Sequence, residues 1–299
     1  FANLVIPLVA IVDTGLMGNL DNASYLTATS IASSVFSLIF WSFGFLRMGT
    51  VGIVAQAHGS KQYDEVVNLV FRNIAFVILI SLLLIAFQKY IFTISLSIFI
   101  LSDDTTKYFK EYFDLRIYSS FGELIIYIIT GLFIGLQKTK ISSLAVGFFS
   151  ITNIIFSLLF VLYFDLNVQG VALGTVISST LTAIIFLCYT FFELQKFTSI
   201  KINLAKIFNI KKIQNLFNIN LDIFIRSALL TFSFLFFTYL GNTISEEVVA
   251  ANTILLNLIM LSAFILDAYA FSTEGIVGYS IGSKNKKLLT NVIKNSFIL

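Results

Sequence analysis

The chain has 299 residues, 58% of them apolar and 12% charged, with a net charge of +3 and a mean hydropathy of +0.93. A soluble domain carries about a quarter charged residues, so much of this apolar surface must face lipid. A single cysteine, Cys188, and a single histidine, His58, exclude a disulfide framework and a Cys- or His-based metal centre, and nothing calls for a cofactor.

In chain order, stretches with the roughly 20 apolar residues that a transmembrane helix needs fall at 1–18, 25–57, 73–99, 112–136, 141–164, 169–192, 222–240 and 247–281. A further one starts near Asn291. The second and eighth are long enough to project beyond the lipid. Gln88 and Lys89 interrupt the third, whose second part is expected along the interface. Basic residues concentrate in alternate connections: Lys61 and Arg72, then Lys138 and Lys140, then the long 193–221 segment with Lys196, Lys206, Lys211 and Lys212, and finally Lys284, Lys286 and Lys287. The connections between them carry acids such as Asp165, Glu246 and Glu247, and only 101–111 mixes signs. Basic ends face the cytoplasm, which predicts a cytoplasmic amino terminus.

The chain also repeats itself. Phe40–Lys61 reads FWSFGFLRMGTVGIVAQAHGSK, and Phe264–Lys284 reads FILDAYAFSTEGIVGYSIGSK. A shift of 223 positions lays Thr50 on Thr273, Gly52 on Gly275, and Gly59-Ser60-Lys61 on Gly282-Ser283-Lys284. One offset held this far marks an internal duplication. Six spans precede the restart, and an even number keeps both halves in one orientation, a parallel repeat about the membrane normal. The predicted fold class is an all-α polytopic membrane protein of two six-helix lobes. Residues 1–193 form the first, 194–221 a basic cytoplasmic linker, and 222–299 a partial second lobe, with about three helices expected beyond Leu299.

A charged side chain in hydrocarbon costs several kcal/mol and calls for a reason. Asp13 lies in the first span, six residues after Pro7, whose missing N–H bends a helix. A carboxylate beside a bend suits a helix that changes shape on protonation; the alternative is a side chain reaching to the outer interface. Glu123, one turn from Tyr127, falls near the middle of the fourth span, either as a proton carrier or in a structural hydrogen bond. Asn153 and Ser157 share one face of the fifth span, and Thr175 lies on the sixth. With Asp13 they offer oxygens to H⁺ or Na⁺; without it they read as interhelical packing. Asp267 and Glu274 share a face of the eighth span, with Arg47 and Arg226 as ion partners, in a substrate cavity or in a structural salt-bridge network.

Gly131-x-x-x-Gly135 and Gly170-x-x-x-Gly174 predict close helix approach. Gly59 and Gly282 read as helix C-caps. Residues 197–217 read as a basic amphipathic segment on the membrane surface rather than a nucleic-acid binder. No phosphate loop, no nucleophile with a paired base and no metal-ligand cluster stands out, so an enzyme is not expected.

PLVAIVDTGLMGNL at the start, FWSFGFLRMGTVGIVAQAHG in the second span, GLFIGLQKTK closing the fourth, NVQGVALGTVIS at the sixth and LDAYAFSTEGIVG in the eighth carry a resemblance. The chain resembles the multidrug and toxic compound extrusion (MATE) transporters, most closely their DinF-like branch. The resemblance implies twelve helices in two lobes, with cation coupling at the acid of the VDT motif, here Asp13. It adds Asn153 and Thr175 as polar members of the same cluster. The acid that the family carries one turn after the Asn is Ser157 here, which removes a carboxylate and weakens any carry-over of Na⁺ binding. Glu123 is expected to supply the missing charge if it shares a cavity with Asp13.

The resemblance further implies a monomer in a bacterial cytoplasmic membrane. It would export a small organic, cationic or amphiphilic compound in exchange for H⁺, or for Na⁺ at Asp13 as the second choice. A flippase for lipid-linked precursors from the same superfamily is the nearer rival, and a membrane-embedded enzyme the more distant one.

Overall fold

A computed structural model describes residues 2–20, 23–99, 101–199, 204–244 and 246–298, and they are overwhelmingly helical. Six helical stretches among them are long and apolar enough to cross a membrane: Ala23–Gly59, Tyr63–Ala86, Asp103–Gly135, Thr139–Tyr163, Asn167–Gln195 and Leu204–Phe234. Helix α1 (Ala2–Gly18) is followed by α2 (Ala23–Ser42) and α3 (Phe45–Gly59), so the long second apolar stretch is broken at Phe43 and Gly44. The break in the third stretch falls where the polar pair predicts it, at Phe87 between α4 (Tyr63–Ala86) and α5 (Gln88–Ile98).

The connection expected at 101–111 is helix instead. Helix α6 (Asp103–Arg116) is capped by Ser102, whose hydroxyl accepts from the Thr105 N–H at 3.3 Å. Asp103 and Asp104 sit at the positive end of its dipole. A 3₁₀ turn at Ile117–Ser119 leads into α7 (Ser120–Gly135). Next come α8 (Thr139–Leu158), a π turn at Leu159–Tyr163, and α9 (Asn167–Gln195). After the short α10 (Leu204–Ile207) stand α11 (Ile210–Ile244), α12 (Glu246–Gly282) and α13 (Lys286–Ile298).

The segment expected as a surface linker departs from that expectation twice. Helix α11 starts inside it and runs on through residue 222. Its first part is also held down: Arg72, buried in α4 rather than lying in a loop, donates from Nε to Ile207 O at 2.9 Å and from Nη2 to Lys206 O at 3.2 Å. A cation therefore grips the carbonyl end of α10. Glu65 joins the clamp, 3.7 Å from Arg72 and 3.3 Å from Lys212 of α11.

Helix α7 is the hub of the first lobe, with Leu124, Ile125, Ile128, Ile129, Leu132 and Phe133 all buried. The spaced glycines act as predicted. A Cβ on Gly131 would stand 2.6 Å from Arg47 O, and one on Gly135 2.7 Å from Val54 Cβ, so α7 lies directly on α3. A Cβ on Gly174 would meet Ser157 N at 2.8 Å, which brings α9 onto α8.

Gly59 and Gly282 are not the helix caps. The left-handed residues are Lys61 and Lys284, at φ 59° and 55°. Gln62 N bonds to Ala57 O (2.8 Å) and Asn285 N to Ser280 O (3.0 Å), which closes both helix ends. The glycines are required because α3 and α12 cross at that point. A Cβ on Gly59 would lie 2.2 Å from Tyr279 O, and one on Gly282 would lie 2.1 Å from Gln56 O. The 223-residue shift maps Gln56 to Tyr279 and Gly59 to Gly282, so it exchanges these two contacts. Such reciprocity is the mark of a two-fold relation. A second pair repeats as well: Asn73 Nδ2 donates to Thr50 Oγ1 at 2.9 Å, and at the shifted positions the Ser296 and Thr273 hydroxyls are 3.0 Å apart. The duplication read from the sequence is thus repeated in the contacts of two parallel lobes.

Candidate functional site

A cavity of about 380 Å³ opens inside the first lobe, between α1, α2, α6, α7, α8 and α9. Asp13 reaches it from α1, Glu123 from α7, Asn153 from α8 and Thr175 from α9. Ser150, Asn153 and Ser157 follow one another along a single face of α8, as their spacing requires. Ser157 is fully buried and faces the Asp13 carboxylate without closing a hydrogen bond to it. Asn153 Nδ2 donates to Thr175 Oγ1 at 2.9 Å and points at Ser178 Oγ at 3.5 Å. What is left over is acceptor-rich. Asp13 Oδ1, Asn153 Oδ1, Ser150 Oγ and Ser157 Oγ are buried and have no hydrogen-bond partner among the described residues. Buried oxygens ordinarily find partners, so this group is chemically prepared for a proton or a small cation.

The same cavity holds Arg116 of α6, which ion-pairs with Glu123 and donates to Ser119 Oγ. Its guanidinium also lies 5.2 Å from the Phe36 ring and 5.3 Å from the Phe40 ring. Glu123 therefore shares the cavity of Asp13 but is not a free carboxylate, because Arg116 and Ser119 Oγ (2.9 Å) both engage its Oε1. The geometric condition set for Glu123, a cavity shared with Asp13, is met, and the structure adds Arg116 as its partner. Tyr112, one turn before Arg116, lines the cavity too and lies 3.3 Å from Ser33 Oγ.

The other candidates lie elsewhere. Tyr127 is not among the cavity-lining residues. Asp267 is exposed on α12 and Glu274 half-buried. The ion pairs expected from Arg47 and Arg226 to these acids are not formed among the described residues. Arg47 sits over the Phe271 ring at 4.0 Å with its Nε unpartnered, and Arg226 Nη2 reaches Met48 Sδ at 3.4 Å. An aromatic face has taken the place of a carboxylate. Helix α1 continues through position 7, but the side chain of Pro7 lies outside the described residues. No group of three or more His, Cys, Asp or Glu suited to a metal occurs among the described residues.

A family model described as MatE matches residues 1–159 and 223–299, one block from each lobe. The chain belongs to the MatE family. Over 234 residues it is 27% identical to DNA damage-inducible protein F of Escherichia coli (strain K12), a match covering 78% of this chain and 51% of that protein. Over 221 residues it is 24% identical to multidrug export protein MepA of Staphylococcus aureus (strain bovine RF122 / ET3-1), covering 73% and 48%. The chain thus spans about half the length of the curated relatives it matches. Among solved structures it is similar to a MOP superfamily transporter from Pyrococcus furiosus, at a TM-score of 0.86 and 18% identity, with 99% of this chain and 66% of that one covered. A MATE protein in a bent conformation aligns at a TM-score of 0.88 and 17% identity, with 99% and 66% covered. The MatE chain is a multi-pass membrane protein with the two-lobed helical fold of these structures. Arg116 is the residue that sequence reasoning missed in it. The available signal was a cation seven positions before Glu123, two helical turns away on one face.

Proposed function

We propose that this MatE chain belongs to a secondary active transporter that exports small organic cations across a bacterial cytoplasmic membrane in exchange for H⁺. In this reading it works as a monomer with its amino terminus in the cytoplasm, and it carries out no covalent chemistry. The set of unpartnered buried oxygens around Asp13 carries the proposal. Glu123 is paired with Arg116, so Asp13 is the carboxylate left free among the described lining residues. Hard cations take about six or more oxygen ligands. One carboxylate with three neutral oxygens suits a proton better than Na⁺.

Ionised Asp13 would attract an organic cation, and protonation would cancel that attraction. Proton and cargo then exclude one another, a negative coupling between two ligands of one site. The lobes would alternate access by rocking about the crossing of α3 and α12. That a relative is called a multidrug export protein points the same way.

The test uses the full-length protein in everted membrane vesicles, with a cationic dye and with pH and Na⁺ gradients imposed separately. The pH gradient alone should drive dye uptake. Asp13→Asn should abolish uptake while leaving expression and thermal stability unchanged. Uptake driven by Na⁺ alone, or an Asp13→Asn variant as active as the parent, would overturn the proposal.

A further inference from the structure

The ion pair beside Asp13 does more than join α6 to α7. Arg116 and Glu123 are 12% and 14% exposed, and both line the cavity rather than a helix–helix seam. Charges in so dry a place act strongly on whatever enters. Arg116 is also held in position, by Glu123, by Ser119 and by the faces of Phe36 and Phe40. The charged groups facing this space are Asp13 from α1, Arg116 from α6 and Glu123 from α7. Helices α2, α8 and α9 contribute only neutral side chains among the described lining residues, and Tyr112 of α6 is the remaining titratable group.

We propose that the Arg116–Glu123 pair sets the charge class of the cargo. By cancelling Glu123, Arg116 leaves the cavity with the single negative charge of Asp13, so the site accepts organic cations of one positive charge and discriminates against those of two. This inference rests on the proposed function, since it assumes that Asp13 receives the cargo. Selectivity of this kind works by mismatch: a second positive charge enters beside Arg116 with no carboxylate left to meet it.

The variants separate the possibilities by charge arithmetic. Glu123→Gln exposes Arg116 and brings the cavity to neutral, Arg116→Gln leaves two carboxylates, and the double variant returns to one. The experiment measures binding of ethidium, with one positive charge, and propidium, with the same ring system and two. Fluorescence anisotropy is read on purified full-length protein at alkaline pH. The parent should prefer ethidium. Glu123→Gln should weaken both dyes by about tenfold or more. Arg116→Gln should invert the order in favour of propidium, and Arg116→Lys should keep the parental order.

The decisive variant is Arg116→Gln/Glu123→Gln, which leaves Asp13 as the one charge among the described lining residues and should recover the ethidium preference even where a single variant fails to fold. A propidium-to-ethidium ratio unmoved by Arg116→Gln, or a folded double variant no better than Glu123→Gln, would overturn the inference. The proposed function fails separately, if the parent binds neither dye or if Asp13→Asn leaves binding intact.

Discussion

The same 223-residue shift that carries Gly59 onto Gly282 carries Asp13 onto Phe236, Arg47 onto Ala270, Asp267 onto Gly44 and Glu274 onto Val51. The glycine contacts survive the shift and the charges do not. At the crossing of α3 and α12 each glycine faces a carbonyl oxygen of the other helix, and backbone cannot swing aside for a side chain. Asp13 instead lines an open cavity. Duplication has therefore kept the positions fixed by backbone contact and freed those fixed only by chemistry. The outcome is a symmetric frame in which Asp13, the acid proposed to couple, has no acidic counterpart at its shifted position. Even the frame shows where its neighbours differ. A Cβ on Gly52 would meet nothing within 4 Å, whereas one on Gly275 would lie 3.0 Å from Ile134 O, because α12 also packs on α7.

The largest effects are expected at the crossing. Gly59→Ala and Gly282→Ala each place a methyl group 2.2 or 2.1 Å from a carbonyl oxygen. Each should destabilise by about 1–3 kcal/mol or more, as overpacking does, with matched falls in thermal midpoint and loss of transport. Gly147→Ala, with nothing within 4 Å, should be neutral or stabilising by up to about 1 kcal/mol. If one glycine proved essential and its counterpart silent, the two-fold account of the crossing would fail.

Smaller effects should show where the repeated contacts differ in burial. Asn73 is 1% exposed, so Asn73→Ala removes a buried hydrogen bond to Thr50, whose hydroxyl still donates to Leu46 O, and should cost about 0.5–1.5 kcal/mol. Ser296 is exposed, and Ser296→Ala should stay within about 0.5 kcal/mol. Equal shifts in denaturation midpoint would contradict the view that the two lobes share geometry but not burial.

What the sequence disclosed follows the same division. Membrane class, spans and the repeat were legible because apolar runs and a constant offset are visible along the chain itself. The polar cluster of Asp13, Asn153 and Thr175 was legible from polar residues inside apolar spans, the family resemblance pointed to the same residues, and the cavity brings them together. The partner of Glu123 was missed because it is recognised only once α6 is known to begin at Asp103 and to carry Arg116 onto the same face. Arg72 read as a loop cation because its acceptors, Lys206 O and Ile207 O, are backbone groups far along the chain that no side-chain pattern announces. Gly59 and Gly282 read as caps because a glycine at a helix end looks alike whether it ends the helix or lets another cross.

The central claim, that proton and cargo compete for Asp13, is tested most directly by counting protons. Purified full-length protein in weak buffer with a pH indicator should release about one proton for each ethidium bound in the pH range where Asp13 is protonated. Asp13→Asn should bind the dye weakly and release none. Tight dye binding without proton release, or release undiminished in Asp13→Asn, would contradict the account.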